Sequence, residues 1–357
     1  MQESYEYIET QLIQSLNLAL NIDNETSYNH AFDIQANQDG FWFIPRLPAG
    51  FVVDSALYDK IYRISGAILY PNWTLLKQNG AYFVPTHSQD FHTQRALFFP
   101  WVEGNAKRLV IDDIDEFTEK WVNNKLPIME NLDINIDKIN HIGIAGQSGS
   151  GKSTFLIFLL YLLKERGSIT ICDPKLDSPS RFARKFDIPV IAPVEVQNQN
   201  DFVSSVTAML SQHLDLIHDR QRELYKDPNA KFEHNYIVID ELLALTENVA
   251  KNVAGAFQSV ISQIALLGRA TNVHLILVSQ RFDAHALSTA TREQLNVLIQ
   301  IGNINSRTTS FLMPDLDPNG IVVPQGIGSG LIQIIDSEHP YQVLPLLTPS
   351  FKTKEVL

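Results

Sequence analysis

A phosphate-binding loop near the middle of the chain constrains the fold more than any other stretch. Residues 141–153 read HIGIAGQSGSGKS, and the part from Gly146 to Ser153 fits the pattern G-x-x-x-x-G-K-[ST]. An apolar run, Ile142–Ala145, precedes the loop, and another, Phe155–Leu163, follows it. A buried strand, a glycine-rich turn and a helix are the context in which this pattern binds phosphate, because backbone N–H groups converge on the anion at the helix N-terminus. The sequence therefore predicts a nucleotide-binding α/β domain.

Two side chains of this loop are expected to have specific binding roles. Lys152 is predicted to reach the β- and γ-phosphates, and the Ser153 hydroxyl to ligate Mg²⁺. The alternative is an incidental Gly/Ser loop, and the strand and helix on its two sides favour the nucleotide site. The residues predicted to bind the nucleotide are Gly146, Gln147, Ser148, Gly149, Ser150, Gly151, Lys152, Ser153 and Thr154.

The composition is that of a globular protein with room for two domains. The chain has 357 residues, of which 45% are hydrophobic and 19% are charged. We place a domain boundary near Lys125, which gives a smaller mixed α+β domain (1–125) and a nucleotide-binding domain (126–357). The start of the chain is acidic and lacks the apolar core of a signal peptide, and the longest apolar run is too short to cross a bilayer. We therefore expect a cytoplasmic protein.

Several residues could bind a metal or react as a nucleophile, but their sequence neighbours favour a structural role. In the first domain, aromatic and β-branched clusters alternate with Pro, Gly and Asn, which predicts several strands. His87 and His92 lie near Asp90 but lack further ligands at metal-binding spacing, so we interpret them as surface residues. The single cysteine, Cys172, lies in an apolar stretch and is interpreted as a core residue.

The formal net charge of −12 argues against a uniformly basic nucleic-acid surface, although a local basic ring remains compatible with it.

Beyond the phosphate loop, apolar strands alternate with helices, which predicts a mainly parallel central sheet. The strand Tyr236–Ile239 ends in Asp240 and Glu241, which supply a carboxylate for the Mg²⁺ shell and a general base for water. Ser279 and Gln280 follow another apolar strand. Because ligands bind at the carboxyl edge of such a sheet, Gln280 is placed to sense the γ-phosphate. An ordinary polar residue at a strand end is the alternative.

Four segments resemble the motor domain of the FtsK/SpoIIIE family of DNA translocases. They are HIGIAGQSGSGKST (141–154), ICDPKLDS (171–178), YIVIDEL (236–242) and LGRATNVHLILVSQRFDAHAL (267–287), and INSRTTSFL (304–312) is similar to a further motif. The resemblance implies a RecA-like phosphate-loop ATPase that binds ATP and Mg²⁺ and forms a hexameric ring around double-stranded DNA. Members on plasmids and integrative elements act as coupling proteins in conjugation.

The resemblance also implies roles for individual residues. It makes Lys152, Ser153, Asp240 and Glu241 the ATP and Mg²⁺ residues and Gln280 the γ-phosphate sensor. Arg269 corresponds to an arginine finger that acts on a neighbour's ATP, and Arg307 is a second candidate at the subunit boundary. The helix around Arg220 and Arg222 lies where the family has an arginine-rich helix leading to a DNA-facing loop; here it is less basic, so a solvated helix is the alternative.

The function expected from the resemblance is that of an ATP-driven translocase of double-stranded DNA, the transfer or coupling motor of a plasmid, phage or integrative element. The chain lacks the transmembrane helices and the winged-helix module of some members, so we expect a relaxase or a membrane-complex protein to supply location and DNA choice. A nucleotide switch that controls assembly of a DNA-processing complex without pumping DNA is the alternative. A small-molecule kinase is a third possibility, and its turnover would depend on an acceptor substrate.

Overall fold

The computed structural model describes residues 5–21, 31–47, 52–78, 80–194, 198–282, 286–336 and 342–353. Contacts between residues divide the chain into two compact units. The first unit comprises Met1–Ala106, Asp315–Val322 and Tyr341–Leu344, and the second comprises the rest. The first unit is therefore not a simple N-terminal block, because two short segments from late in the chain return to it.

The first unit contains an antiparallel sheet in the strand order β1-β2-β5-β3, with β4 also pairing with β5, and its helices pack against this sheet. Aromatic side chains fill the core between helix and strands: the Phe99 ring stacks on Phe41 at 4.7 Å and on Tyr58 at 4.3 Å. The helices and strands are α1 (Tyr5–Asn21), β1 (Phe32–Asn37), β2 (Gly40–Pro45), α2 (Ser55–Leu69), β3 (Trp73–Leu75), β4 (Phe83–Pro85) and β5 (Arg95–Glu103).

The second unit is built around a mainly parallel sheet with helices between its strands. Its elements are β6 (Val110–Ile111), α3 (Ile114–Lys120), β7 (Lys125–Met129), β8 (Leu132–Asn135), β9 (Ile142–Gly146), α4 (Lys152–Leu163), β10 (Gly167–Cys172), α5 (Ser178–Lys185), β11 (Val190–Ile191), α6 (Gln199–Lys226), β12 (His234–Ile239), α7 (Lys251–Leu267), β13 (Val273–Ser279), α8 (Thr289–Arg292), β14 (Val297–Ile301), α9 (Ser306–Thr309), β15 (Ser329–Ile334), β16 (Gln342–Leu347, which begins in the first unit) and β17 (Ser350–Phe351).

The strand order of the large sheet is β11-β10-β12-β13-β9-β14-β15-β16. Strands β11, β10, β12, β13, β9 and β14 run parallel, and β15 pairs antiparallel with β14. The carboxyl ends of the parallel strands therefore meet at one edge, and the residues that follow β9, β10, β12, β13 and β14 are brought together there. The α/β fold with a mainly parallel sheet, predicted from the sequence, is confirmed.

The boundary between the two units differs from the predicted position. The chain divides after Ala106, whereas the sequence places the boundary at Lys125. The segment between them belongs to the second unit because β6 pairs with β17 and α3 packs on α4. Within this segment, α3 has Asp113 as its N-cap, and its Ile114 side chain is fully buried. It is therefore a packed helix of the second unit.

Two apolar features of the second unit form its core. Every side chain of α4 from Phe155 to Leu163 is buried, so this helix is enclosed on all sides. Cys172 is also fully buried, and burial raises the pKa of its thiol far above the usual range, as expected of a core residue. Within the described ranges, no helix combines the length and apolar character needed to cross a membrane.

Candidate nucleotide site

The phosphate loop connects β9 to α4 at the carboxyl edge of the sheet. Gly151 caps α4 in a left-handed conformation (φ 105°), and Gly149 is also left-handed (φ 77°). Gly146 lies so close to β14 that a β-carbon there would stand 2.3 Å from the Ile301 carbonyl oxygen. The pattern thus needs glycine for backbone conformation and for close approach, and the start of a helix such as α4 offers N–H groups without intrahelical partners to an anion.

The Lys152 side chain folds back over the loop. Its Nζ donates to the carbonyl oxygens of Gly146 and of Gln147, the latter at 2.9 Å. Burial lowers the pKa of the Lys152 ammonium group, while the Glu241 carboxylate opposes this shift, so the two side chains are close enough to interact. Ser153 is half-buried in the first turn of α4, and Thr154 is exposed. The loop therefore presents a cation and N–H donors to the same space, which suits a polyphosphate.

Two acidic side chains stand beside the loop, at the ends of β10 and β12. The Asp240 N–H group donates to the Cys172 carbonyl oxygen at 2.9 Å, which sets Asp240 next to Asp173. Burial and the neighbouring Asp173 carboxylate raise the pKa of Asp240 to about 6. A divalent cation would relieve this crowding of buried negative charge, and oxygen ligands are those that Mg²⁺ prefers. The donor set therefore fits the predicted magnesium site.

Glu241 has an unusual backbone conformation. It is a buried, non-glycine residue in the left-handed region (φ 60°, ψ 68°), a conformation that is strained and concentrates at functional sites. Its Oε2 lies 2.5 Å from Lys175 Nζ and accepts from the Gln280 amide at 3.4 Å, and its Oε1 accepts from the Gln280 N–H group at 3.3 Å. The structure thus joins Glu241 to Gln280, as the common sheet edge predicts.

Lys175 and Asp173 are the residues of this site to which the sequence assigned no role. Asp173 Oδ1 accepts from the Lys175 N–H group at 2.9 Å, and Oδ2 accepts from the Asp177 N–H group at 2.9 Å and the Ser180 hydroxyl at 2.6 Å. These bonds shape the turn after β10 so that Lys175 reaches Glu241. The sequence feature that could have identified both residues is Asp-Pro-Lys directly after a buried strand, at the sheet edge where the other site residues were expected.

The two candidate arginines lie at opposite edges of the sheet. Arg269 is exposed in the short turn Arg269–Thr271 that precedes β13, at the amino edge. There it lines a cleft of about 550 Å³ together with Asp137, His274 and Asn296. Gln280 is at the other end of the seven-residue β13, so Arg269 stands roughly 20 Å from the edge that carries its own phosphate loop.

Arg307, in contrast, is on the same edge as the phosphate loop. It lies in α9, shortly after β14, and its side chain is exposed. The turn after β14 touches the loop directly, because a β-carbon at Gly302 would stand 2.8 Å from the Ser150 β-carbon. The structure therefore brings Lys152, Asp240, Glu241 and Gln280 together, puts Arg307 on their edge and leaves Arg269 on the other.

The basic end of α6 divides into a structural arginine and an exposed face. The Arg220 guanidinium donates to the carbonyl oxygens of Thr271 at 2.6 Å and Glu233 at 3.0 Å and lies over the Phe232 ring. These contacts give Arg220 a structural role in addition to the DNA contact that the resemblance implies. Arg222 is exposed and paired with Asp219 one turn earlier, next to the highly exposed Tyr225.

Comparisons with known proteins agree with these motifs. No protein-family model matches the chain. The FtsK domain-containing protein YdcQ of Bacillus subtilis (strain 168) is 25% identical over 205 residues, which cover 55% of this chain and 41% of YdcQ. The DNA translocase FtsK of Campylobacter jejuni (strain 81-176) is 27% identical over 167 residues, 41% of this chain and 16% of the translocase. The matched regions thus span less than half the length of either relative.

Solved structures show the same fold. The pCW3 conjugation coupling protein TcpA, in a monomer form with ATPγS, aligns with a TM-score of 0.53 at 18% identity over 96% of this chain and 95% of the solved chain. ATPases 2 and 3 of EssC from Geobacillus thermodenitrificans align with a TM-score of 0.50 at 16% identity over 71% of this chain and 48% of theirs. In sequence the chain is similar to FtsK domain proteins, and in structure it has the RecA-like fold of phosphate-loop ATPases.

Proposed function

We propose that this chain is an ATPase that uses ATP hydrolysis to move double-stranded DNA, as the transfer or coupling motor of a plasmid, phage or integrative element. The observation that carries the proposal is the single sheet edge at which the phosphate loop, the buried Asp240 and the strained Glu241 meet. Similarity to an FtsK domain protein and to a DNA translocase supports DNA as the substrate.

The binding roles follow from the position of each group. Lys152 binds the β- and γ-phosphates, whose oxygens replace the loop carbonyls that its ammonium group now contacts. Ser153 and Asp240 would hold Mg²⁺, which would offset the negative charge of the phosphates. The backbone from Gly146 to Thr154 surrounds the polyphosphate. Each of these groups comes from one compact unit, so one subunit holds the nucleotide by itself.

Hydrolysis is the step that we assign to Glu241. Water attacks the γ-phosphorus, its proton passes to the Glu241 carboxylate, and the bond to the β–γ bridging oxygen breaks to give ADP and phosphate. Lys175 and Gln280 orient this carboxylate through the contacts described above. Because Gln280 contacts Glu241 directly, a change at the γ-phosphate reaches the end of β13 through a single side chain.

Assembly supplies the remaining parts. We place Arg269 in a neighbour's site within a homo-oligomeric, hexameric ring, because its position at the far sheet edge keeps it from its own nucleotide. The exposed face of α6 around Arg222 is the DNA-facing candidate, and Arg220 attaches this helix to the turn before β13. A relaxase or a membrane-complex protein is the proposed partner for location and DNA choice. The cytoplasmic location stays a prediction.

The test is ATP turnover with and without double-stranded DNA, at increasing salt, with particle size measured by light scattering. We expect stimulation by DNA that weakens as salt rises, because phosphate contacts release counterions. Lys152→Ala should abolish turnover in a folded protein, and Glu241→Gln should bind ATP without hydrolysing it. Lys120→Ala, an exposed lysine on α3, is the matched control. Nucleotide binding with no DNA-dependent turnover would identify a switch, and turnover that requires an acceptor would identify a kinase.

A further inference from the structure

A short loop, Gly326–Gly328, lies against the phosphate loop. The Gly328 N–H group donates to the Ser150 carbonyl oxygen at 2.9 Å. A β-carbon added at Gly151 would stand 3.2 Å from Ile327 Cγ2 and 3.3 Å from the Gly328 nitrogen. The Ile327 side chain therefore sits at the start of α4, beside the point where the phosphate loop enters the helix.

The backbone of this loop is fixed from behind. The Arg108 guanidinium donates to the Ile327 carbonyl oxygen at 2.7 Å and to the Thr348 carbonyl oxygen at 2.6 Å. The Thr348 N–H group donates to the Gly328 carbonyl oxygen at 2.8 Å. Gly328 is left-handed (φ 80°), and a β-carbon there would stand 2.1 Å from Thr348 Oγ1. The loop is thus built to hold one shape, yet it leaves the Ile327 side chain 73% exposed.

The order of the strands tells which part of a nucleotide reaches Ile327. From β9, the sheet continues on one side through β13 to β12, which carry Gln280, Asp240 and Glu241. On the other side it continues through β14 to β15, which begins at Ser329, directly after the loop. A nucleotide whose γ-phosphate points to the carboxylates must extend its ribose and base away from them. The base then leaves the phosphate loop on the side of Gly326–Gly328.

We propose that Ile327 packs against the flat face of the nucleotide base, so that Gly326–Gly328 forms the base subsite. This inference rests on the proposed nucleotide site and adds the part of the ligand that the phosphate loop does not hold. An apolar side chain fits the face of a purine ring, and the contact removes apolar surface of both partners from water. The two backbone bonds of Gly328 and the two Arg108 bonds set Ile327 in place before the nucleotide arrives, which reduces the ordering that binding requires.

The experiment compares a ligand that has a base with one that lacks it. ADP and inorganic pyrophosphate, each with Mg²⁺, are titrated by calorimetry into the wild-type chain, Ile327→Ala, Ile327→Leu and Val122→Ala. Val122 is the control residue, because it is 84% exposed and lies far from the loop. Its neighbours Trp121 and Asn123 accept hydrogen bonds from Arg166, which precedes the amino end of β10. We expect Ile327→Ala to weaken ADP binding roughly fivefold to tenfold and to leave pyrophosphate binding unchanged. Ile327→Leu and Val122→Ala should bind both ligands like the wild type.

Each other outcome has a definite meaning. ADP binding that is unchanged in Ile327→Ala would place the base elsewhere and overturn the inference while the nucleotide site stands. Equal weakening of ADP and pyrophosphate would show that Ile327 only supports the phosphate loop, which also overturns it. A wild-type chain that binds neither ligand would overturn the proposed ATPase function itself, and the base subsite with it.

Discussion

Arg220 allows a quantitative test of whether the basic end of α6 stabilises the fold or binds a ligand. The Arg220→Ala substitution removes the donor to the Thr271 carbonyl oxygen, whose residue is fully buried, and the contact with the Phe232 ring at 5.1 Å. A hydrogen bond from a charged donor contributes roughly 1.5–3 kcal/mol, and an exposed cation–π contact roughly 0.5–1 kcal/mol. The bond to Glu233 is exposed and adds little. We expect a loss of about 2 kcal/mol of unfolding free energy.

Arg222→Ala is the matched comparison for Arg220→Ala. Its side chain is 71% exposed and, among the residues that the structure describes, pairs with Asp219 alone, so its removal should change the unfolding free energy by less than about 0.5 kcal/mol. Thermal unfolding followed by circular dichroism should show Arg220→Ala melting about 4–8 °C below the wild type and Arg222→Ala within about 2 °C of it. If Arg220→Ala melts with the wild type, its carbonyl contacts do not stabilise the fold and Arg220 is free to bind a ligand.

Two further predictions concern charged and ionisable side chains. Lys175→Met should lower kcat for ATP about tenfold or more with little change in KM, because Glu241 loses the partner that orients it. Lys175→Arg should retain most of the wild-type kcat. A higher turnover in Lys175→Met would instead show that Lys175 restrains the general base. Burial lowers the pKa of His141 to about 4, and its Nδ1 accepts a hydrogen bond from the Leu275 N–H group. Between about pH 6.5 and pH 4, His141 is therefore protonated in the unfolded chain and neutral in the folded chain. The contribution of His141 to stability should therefore be complete above about pH 6.5 and fall by roughly 3 kcal/mol as the pH drops to about 4. Urea unfolding of the wild type and of His141→Gln across this range measures this contribution as the difference between their pH slopes. Equal slopes would assign the loss to other groups.

The sequence predicts the second unit well because each strand of a parallel sheet that is buried on both faces consists of a short, continuous apolar run. The strands that end at Gly146, Ile239 and Ser279 can be recognised in this way. Once they are aligned, the polar residues after them must share an edge, which is why Asp240, Glu241 and Gln280 could be named in advance. These predictions need only local patterns and one rule of sheet geometry.

What the sequence did not predict depends on contacts between distant residues. Arg220 reaches a carbonyl oxygen 51 residues away, and nothing in the helix pattern distinguishes it from its exposed neighbour Arg222. Lys175 becomes part of the site only through the turn that Asp173 shapes. The Gly326–Gly328 loop can be seen as glycine-rich, but its contact with Ser150 follows from the position of β15 in the sheet. Long-range register, and not local propensity, decides each case.

The opposite placement of Arg269 and Arg307 leads to a test of which arginine acts between subunits. Arg269 is separated from its own phosphate loop by the length of β13, so it can reach only a neighbour's nucleotide. Arg307 follows β14 on the edge of its own loop, so it should act within the subunit that binds the nucleotide. An arginine supplied by a neighbour contributes about 10³ to 10⁵ in rate in related hydrolases.

Mixing inactive subunits separates these two modes of action. Arg269→Ala mixed with Lys152→Ala should recover part of the ATPase activity, because some interfaces pair an intact loop with an intact Arg269 from the neighbour. Arg307→Ala mixed with Lys152→Ala should recover none if Arg307 contributes to catalysis, because Lys152 and Arg307 must then belong to the same subunit. Native mass spectrometry confirms that mixed rings form. Recovery with Arg307→Ala and none with Arg269→Ala would exchange the two roles, and Arg307 instead of Arg269 would then lie against the neighbour's phosphate loop.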